Sequence, residues 1–171
     1  MSPWLSRLDE RDRALFARLA LTSTTAGSRR RVWTSLTHLG GARASMGFAL
    51  MQSVVPGGSL QIAWRTSCLL GLSHLVVQLI KRSVGRPRPS ARESIEALVL
   101  IPDRFSFPSG HACAAMALAI GAASAVPSLT LPLLLVAMLI GLSRVMLGAH
   151  YPGDVLMGQA IALILAYPIL G

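Results

Sequence analysis

The sequence predicts an all-α, polytopic membrane helix bundle, with about five transmembrane helices and an N-terminal amphipathic interfacial helix. Three observations predict it. The 171 residues are 53% hydrophobic and only 13% charged, too apolar for a soluble domain of this size. Five apolar runs each approach the ~20 residues a spanning helix needs. The first twenty residues, by contrast, mix charge and apolar side chains at helical spacing, which suits a helix lying at the interface.

Taken in order, residues 4–21 place Trp4, Leu5, Leu8, Leu15 and Leu19 near one side of a helix, with Arg7, Asp9, Arg11 and Arg13 on the others. That segment is too charged to span, and it lacks the continuous apolar core of a signal peptide. A first apolar run covers 34–55, weakened by Arg43 and by Gly40 and Gly41, and a second covers 60–80. A long polar connection rich in Pro and Arg follows, "KRSVGRPRPSARESIEALVLIPDRFSFP". Three more apolar runs occupy 110–126, 129–147 and 155–170. This length suits one domain over 1–171, with the interfacial helix and linker at 1–33 and the transmembrane bundle with its polar loops at 34–171.

Charge narrows the function. Sixteen Lys and Arg face seven Asp and Glu, a formal net charge of +9. Nucleic-acid binding would need a solvated basic face with interleaved aromatics, and aromatics are only 5% of this mostly apolar chain. Lipid phosphate is the better match for the cations, so the expected partners are a lipid phosphate and membrane lipids, not nucleic acid. Cys68 and Cys113 lie inside apolar runs without metal-ligand spacing and read as small packing residues.

Against this background the polar residues stand out by position. Lys81 and Arg88 follow the second run, Ser109, Gly110 and His111 open the third, and Arg144, His150 and Asp154 straddle the link between the last two. In an up-and-down bundle all of them fall at one end. In "SFPSGH", Pro108 suits a helix start, whose free N–H groups and positive dipole end bind anions. Gly110 would let a phosphate oxygen approach the backbone, and His111 could then protonate a leaving group. His150 and Asp154 are four apart, so the carboxylate would accept the Nδ1 proton and leave Nε2 free as a nucleophile. Lys81, Arg88 and Arg144 would neutralise the equatorial oxygens of a phosphoryl group. No second carboxylate lies near Asp154 in sequence, so neither a metal nor another cofactor is expected.

The spacings Lys81-x6-Arg88-Pro89, Pro108-Ser-Gly-His111 and Ser143-Arg144-x5-His150-x3-Asp154 resemble the three-part signature of the type 2 phosphatidic acid phosphatase superfamily, which also holds bacterial acid phosphatases and vanadium haloperoxidases. The resemblance covers roughly residues 60–165. It implies a metal-independent lipid phosphate phosphatase with His150 as nucleophile, Asp154 as its orienter, His111 as general acid, and Lys81, Arg88, Ser109, Gly110 and Arg144 as phosphate cradle. Phosphatidic acid, phosphatidylglycerol phosphate, undecaprenyl diphosphate and a polyprenyl-linked sugar phosphate would all present a terminal phosphate to this cradle. A lipid transporter or scramblase using the cations only to hold headgroups is the alternative, but it has no need of a His–Asp pair beside a second His.

Outside the motifs, His74 is expected to make an interhelical hydrogen bond, and Arg82 and Arg86 to face solvent or headgroups. An inner, cell-membrane location is expected. The triple Arg29–Arg31 and the basic loop put the site end on the cytoplasmic face by the positive-inside rule, with the outer face, where relatives of the family also work, as the alternative.

Overall fold

The computed structural model describes residues 3–25, 27–93, 95–101 and 103–170. Its elements are helices α1 (Pro3–Leu19), α2 (Gly27–Leu39), α3 (Ala42–Met51), α4 (Leu60–Val84), the single turn α5 (Pro89–Arg92), α6 (Gly110–Ala125), α7 (Thr130–Met146) and α8 (Pro152–Leu170). Among the described residues the β structure amounts to one isolated bridge, between Pro87 and Phe105.

α6 is the central helix, packed against α4, α7 and α8. Its sequence explains the position. "GHACAAMALAIGAASA" is apolar all round and mostly small, so it can be buried on every side and approached closely. Leu69 and Val77 of α4, Met116 of α6, Ile140 of α7 and Ile161 of α8 form the core around it. The outward faces of α7 and α8 carry Leu131, Leu135, Met138, Leu163, Ile164 and Tyr167, all exposed. An apolar belt of this kind is what hydrocarbon solvates and water does not. By length and composition α7, with the turn before it (Pro127–Met146), and α8 (Pro152–Leu170) suffice to cross a membrane, whereas α6 is apolar but shorter.

The expected first run, 34–55, is two helices rather than one. The chain turns helical at Gly27, takes in Arg29–Arg31, and breaks at Gly40–Gly41 before α3. The break has a packing cause. A Cβ on Gly40 would stand 2.7 Å from Ile140 Cγ2 and 3.2 Å from the His111 carbonyl, so only glycine lets α2 end against α6 and α7.

α1 forms where the charge pattern predicts. Leu8, Leu15 and Leu19 are exposed, and the side chains of Trp4 and Leu5 lie outside the described residues. The buried anchor is Phe16, edge-on to Tyr151 with ring centroids 5.3 Å apart. At the end of α4, Gly85 takes the left-handed conformation (φ +63) and closes the helix with its N–H on the Lys81 carbonyl, 3.0 Å, which turns the chain into the basic loop.

Candidate active site

Every one of the eight sequence-predicted positions lies at the same end of the bundle. Lys81 stands in the last turn of α4, Arg88 just before α5, Ser109, Gly110 and His111 at the start of α6, Arg144 in the last turn of α7, His150 in the following link, and Asp154 in the first turn of α8. Lys81, Arg88, Gly110, His111, Arg144 and His150 line a cavity of about 830 Å³. Ser109 and Asp154, both fully buried, stand behind them.

The two histidine-bearing elements are tied through backbone. Ser109 caps α6 by accepting from the Ala112 N–H, and its own N–H donates to the Asp154 carbonyl at 2.8 Å. The start of α6 is thereby fixed against the start of α8. A Cβ on Gly158 would run into the Ser109 carbonyl, so this glycine permits the contact.

His150 is 2% exposed. Arg88 Nη1 lies 3.2 Å from its Nε2. A guanidinium only donates, so Nε2 carries the lone pair and the ring proton sits on Nδ1. Nδ1 faces Asp154 Oδ2 at 3.6 Å, within ion-pair range but too long for the expected hydrogen bond, and it has no hydrogen-bond partner among the described residues. The carboxylate is bonded elsewhere: Oδ2 accepts from the Tyr151 N–H at 2.8 Å and Oδ1 from Arg86 at 2.7 Å. Burial holds His150 down to about 4, with the charges of Arg88 and Arg144 adding to that and Asp154 opposing it. The imidazole is therefore neutral at physiological pH.

The cations differ in how they are balanced. Lys81 Nζ donates to both oxygens of Asp103 at 3.2 Å and to the Phe105 carbonyl at 2.8 Å. Arg88 Nη2 donates to Asp103 Oδ1 at 2.8 Å, and its Nε to the Asp103 carbonyl at 2.7 Å. Burial works against a charge on Asp103, but the Arg88 hydrogen bond and the Lys81 charge prevail and hold its pKa below the usual carboxylate value. Arg144 is different. It is 2% exposed, donates from Nη1 to Thr37 Oγ1 at 2.8 Å, leaves Nε without a partner, and makes no ion pair among the described residues. A buried guanidinium in that state is a standing anion site.

Sequence reasoning missed Asp103 and misplaced Arg86 and His74. Asp103 lines the cavity beside the two cations it balances, and the rule that buried charges need counter-charges could have pointed to the acid in the basic loop. Arg86 does not face headgroups. It bonds Asp154, Asp9 and Asp12 while stacking over Tyr151 at 4.2 Å from the ring centre. His74 does not bridge helices; its ring lies 3.3 Å from Gln78 on the same helix, at the cavity wall. Arg82 is exposed, as expected.

From the cations the cavity continues between α3 and α4, past Ala49 and Leu50 on one side and Leu70 and Ser67 on the other. Lys81 and Ser67 are fourteen residues apart on α4, about 21 Å along the helix. Met46 and Leu50, on its rim, are 56% and 67% exposed, so the groove opens sideways toward the apolar belt.

Comparison with known proteins gives a consistent neighbourhood. A family model described as the PAP2 superfamily matches residues 63–170. A decaprenylphosphoryl-5-phosphoribose phosphatase of Mycobacterium tuberculosis is 44% identical over 92 residues, 53% of this chain and 49% of that protein. The chain thus spans about half the length of the curated relatives of that kind it matches. Phosphatidylglycerophosphatase B of Bacillus subtilis is 31% identical over 157 residues, 82% of this chain and 73% of that protein. Among solved structures, a transmembrane PAP2 type phosphatidylglycerolphosphate phosphatase from Bacillus subtilis superposes with TM-score 0.71 at 25% identity, covering 96% of this chain and 85% of the other.

Proposed function

The chain belongs to the PAP2 superfamily, and from that premise we propose that it is an integral-membrane phosphatase that removes the terminal phosphate of a phospholipid or polyprenyl (di)phosphate. The observation that carries this reading is the continuity of one cavity. Its inner end holds His150 and His111 among buried cations, and its outer part is an apolar groove long enough for a lipid chain. A transporter would use the cations and the groove but leave the neutral, carboxylate-backed His150 without a task.

In the proposed reaction the phosphate binds between Lys81, Arg88 and Arg144, with the free N–H groups of Gly110 and the α6 start taking a further oxygen. Arg88 passes from His150 Nε2 to a phosphate oxygen. Nε2 then attacks phosphorus in line, the P–O bond to the lipid breaks, and His111 gives its proton to the departing oxygen. Asp154 balances the charge that develops on the phosphorylated imidazole. Water, deprotonated by His111, attacks the phosphohistidine, releases inorganic phosphate and restores both histidines. No step calls for a metal ion.

Five traverses fit this reading: α2 with α3, then α4, α6, α7 and α8. Arg30 near the start of α2 donates to the Leu98 carbonyl in the site-end loop, at 3.4 Å. Gly57, after α3, lies against the Ala125 carbonyl at the other end of α6, close enough that a Cβ would stand 2.9 Å from it. The α2–α3 pair therefore runs from one end of the bundle to the other. The site end is assigned to the cytoplasmic face of the cell membrane.

Rapid quenching with a labelled lipid phosphate tests the chemistry. An acid-labile, base-stable phosphoenzyme is expected, and His150→Ala should neither label nor turn over. Label retained in that variant would overturn the assignment.

A further inference from the structure

Asp154 receives its shortest side-chain contact from outside the predicted motifs. Arg86 Nη1 donates to Asp154 Oδ1 at 2.7 Å, and the same guanidinium is held by α1, through Asp12 Oδ2 at 2.8 Å and Asp9 Oδ1 at 2.8 Å. The Arg86 side chain is 15% exposed and is stacked on buried Tyr151. α1 lies wholly outside the stretch matched by the family model, which begins at residue 63.

Asp12 does a second thing. Its Oδ1 accepts the Gly153 N–H at 2.7 Å, in the first turn of α8. That turn has free N–H groups and is preceded by Tyr151 and His150, neither of which can cap it as Ser or Asp would. One carboxylate from α1 therefore caps the helix that bears Asp154 and clamps the cation that holds Asp154. Both oxygens of Asp154 are fixed in consequence, Oδ1 by Arg86 and Oδ2 by the Tyr151 N–H, and Oδ2 is the oxygen facing His150 Nδ1.

The charges account for why two acids are needed. Arg86 alone beside Asp154 would cancel the negative charge that the imidazole needs when it becomes phosphorylated. Asp9 and Asp12 share the guanidinium, and Arg92 at 2.9 Å takes part of Asp9. The group Asp9, Asp12, Asp154, Arg86 and Arg92 carries three negative and two positive charges, so Arg86 does not by itself cancel the charge of Asp154.

We propose that Arg86 is a positioning residue for the Asp154–His150 pair, and that α1 is part of the active site through Asp12, which anchors Arg86 and caps α8. This rests on the reading of His150 as nucleophile. Arg86 itself touches neither phosphate nor His150; its effect passes through Asp154.

The test uses full-length protein in detergent micelles with p-nitrophenyl phosphate, which reads the chemistry without a lipid tail. Arg86→Gln should lower kcat about 10- to 100-fold, the loss typical when a partner that orients a functional group is removed. KM should stay within about twofold, because no phosphate contact is lost. Arg86→Lys, which keeps the charge but not the fork, should recover part of the activity. Asp12→Asn keeps an acceptor for the Gly153 N–H and loses only the Arg86 ion pair, so it should lower kcat on its own but add less than about twofold in the Arg86→Gln background. Wild type and His150→Ala run beside them. If wild type is inactive, or His150→Ala is active, the underlying reading fails and takes this one with it. If activity depends on His150 while Arg86→Gln raises KM with kcat intact, or the two losses simply multiply, the positioning role alone is overturned.

Discussion

His150 owes its readiness to burial, and that has a cost in acid. Its pKa falls from an ordinary 6.5 to about 4 in the folded protein. Between those values the unfolded chain binds more protons than the folded one, so stability is lost as pH is lowered through that window. Thermal unfolding compared at about pH 7 and about pH 5 should show a larger drop for wild type than for His150→Gln, which has no proton to gain there. Equal drops would mean that the imidazole is not held neutral. That the eight motif positions gather at one end of the bundle was legible because they fall at alternate ends of successive apolar runs. Arg86 and Asp103 were not, since their significance comes from ion pairs with residues 68 to 77 and 15 to 22 positions away. A sequence shows charges but not which of them are buried together.

Among the elements, the seam between α6 and α8 sets the distance between the two histidines. Gly158→Ala should push the Ser109 carbonyl outward and shift the start of α6. Overpacking of this sort costs about 1–3 kcal/mol of stability. A displacement near 1 Å can cost about 100-fold in rate, so kcat should fall far more than thermal stability suggests, a contrast that paired activity and unfolding measurements would show. A variant with normal kcat would separate the seam from the chemistry. α4, α6, α7 and α8 were readable as helices from their apolar runs, although among the described residues only α7 with its preceding turn and α8 are long and apolar enough to cross a membrane. The α2–α3 break was not, although Gly40 and Gly41 were visible in the first run. Gly40 stands where it does because of its close approach to Ile140 and the His111 carbonyl, which no local pattern encodes. The charged face of α1 was legible as amphipathic, but Asp9 and Asp12 turned out to face Arg86 and Gly153 rather than water.

For the whole molecule the proposed orientation comes down to a single measurement. The arginine triplet of α2 sits at the site end, with Arg30 on the Leu98 carbonyl. Glu96 is exposed in the same loop and takes no part in the site. Glu96→Cys, in a background lacking Cys68 and Cys113, should react with a membrane-impermeant maleimide only after cells are lysed. Reaction in intact spheroplasts would place the site on the outer face.

The sideways opening between α3 and α4 governs how such a protein meets its substrate. In the proposed reaction a lipid entering past Met46 and Leu50 would never leave the bilayer, so encounter would be a two-dimensional search in the plane of one leaflet. Turnover would then follow the mole fraction of substrate among neighbouring lipids, and adding inert lipid at constant total substrate would slow it. The dephosphorylated lipid would return to the leaflet from which it came, while the phosphate departs to water at the site end. Phosphate and lipid would part company at the membrane surface, each into the solvent that suits it.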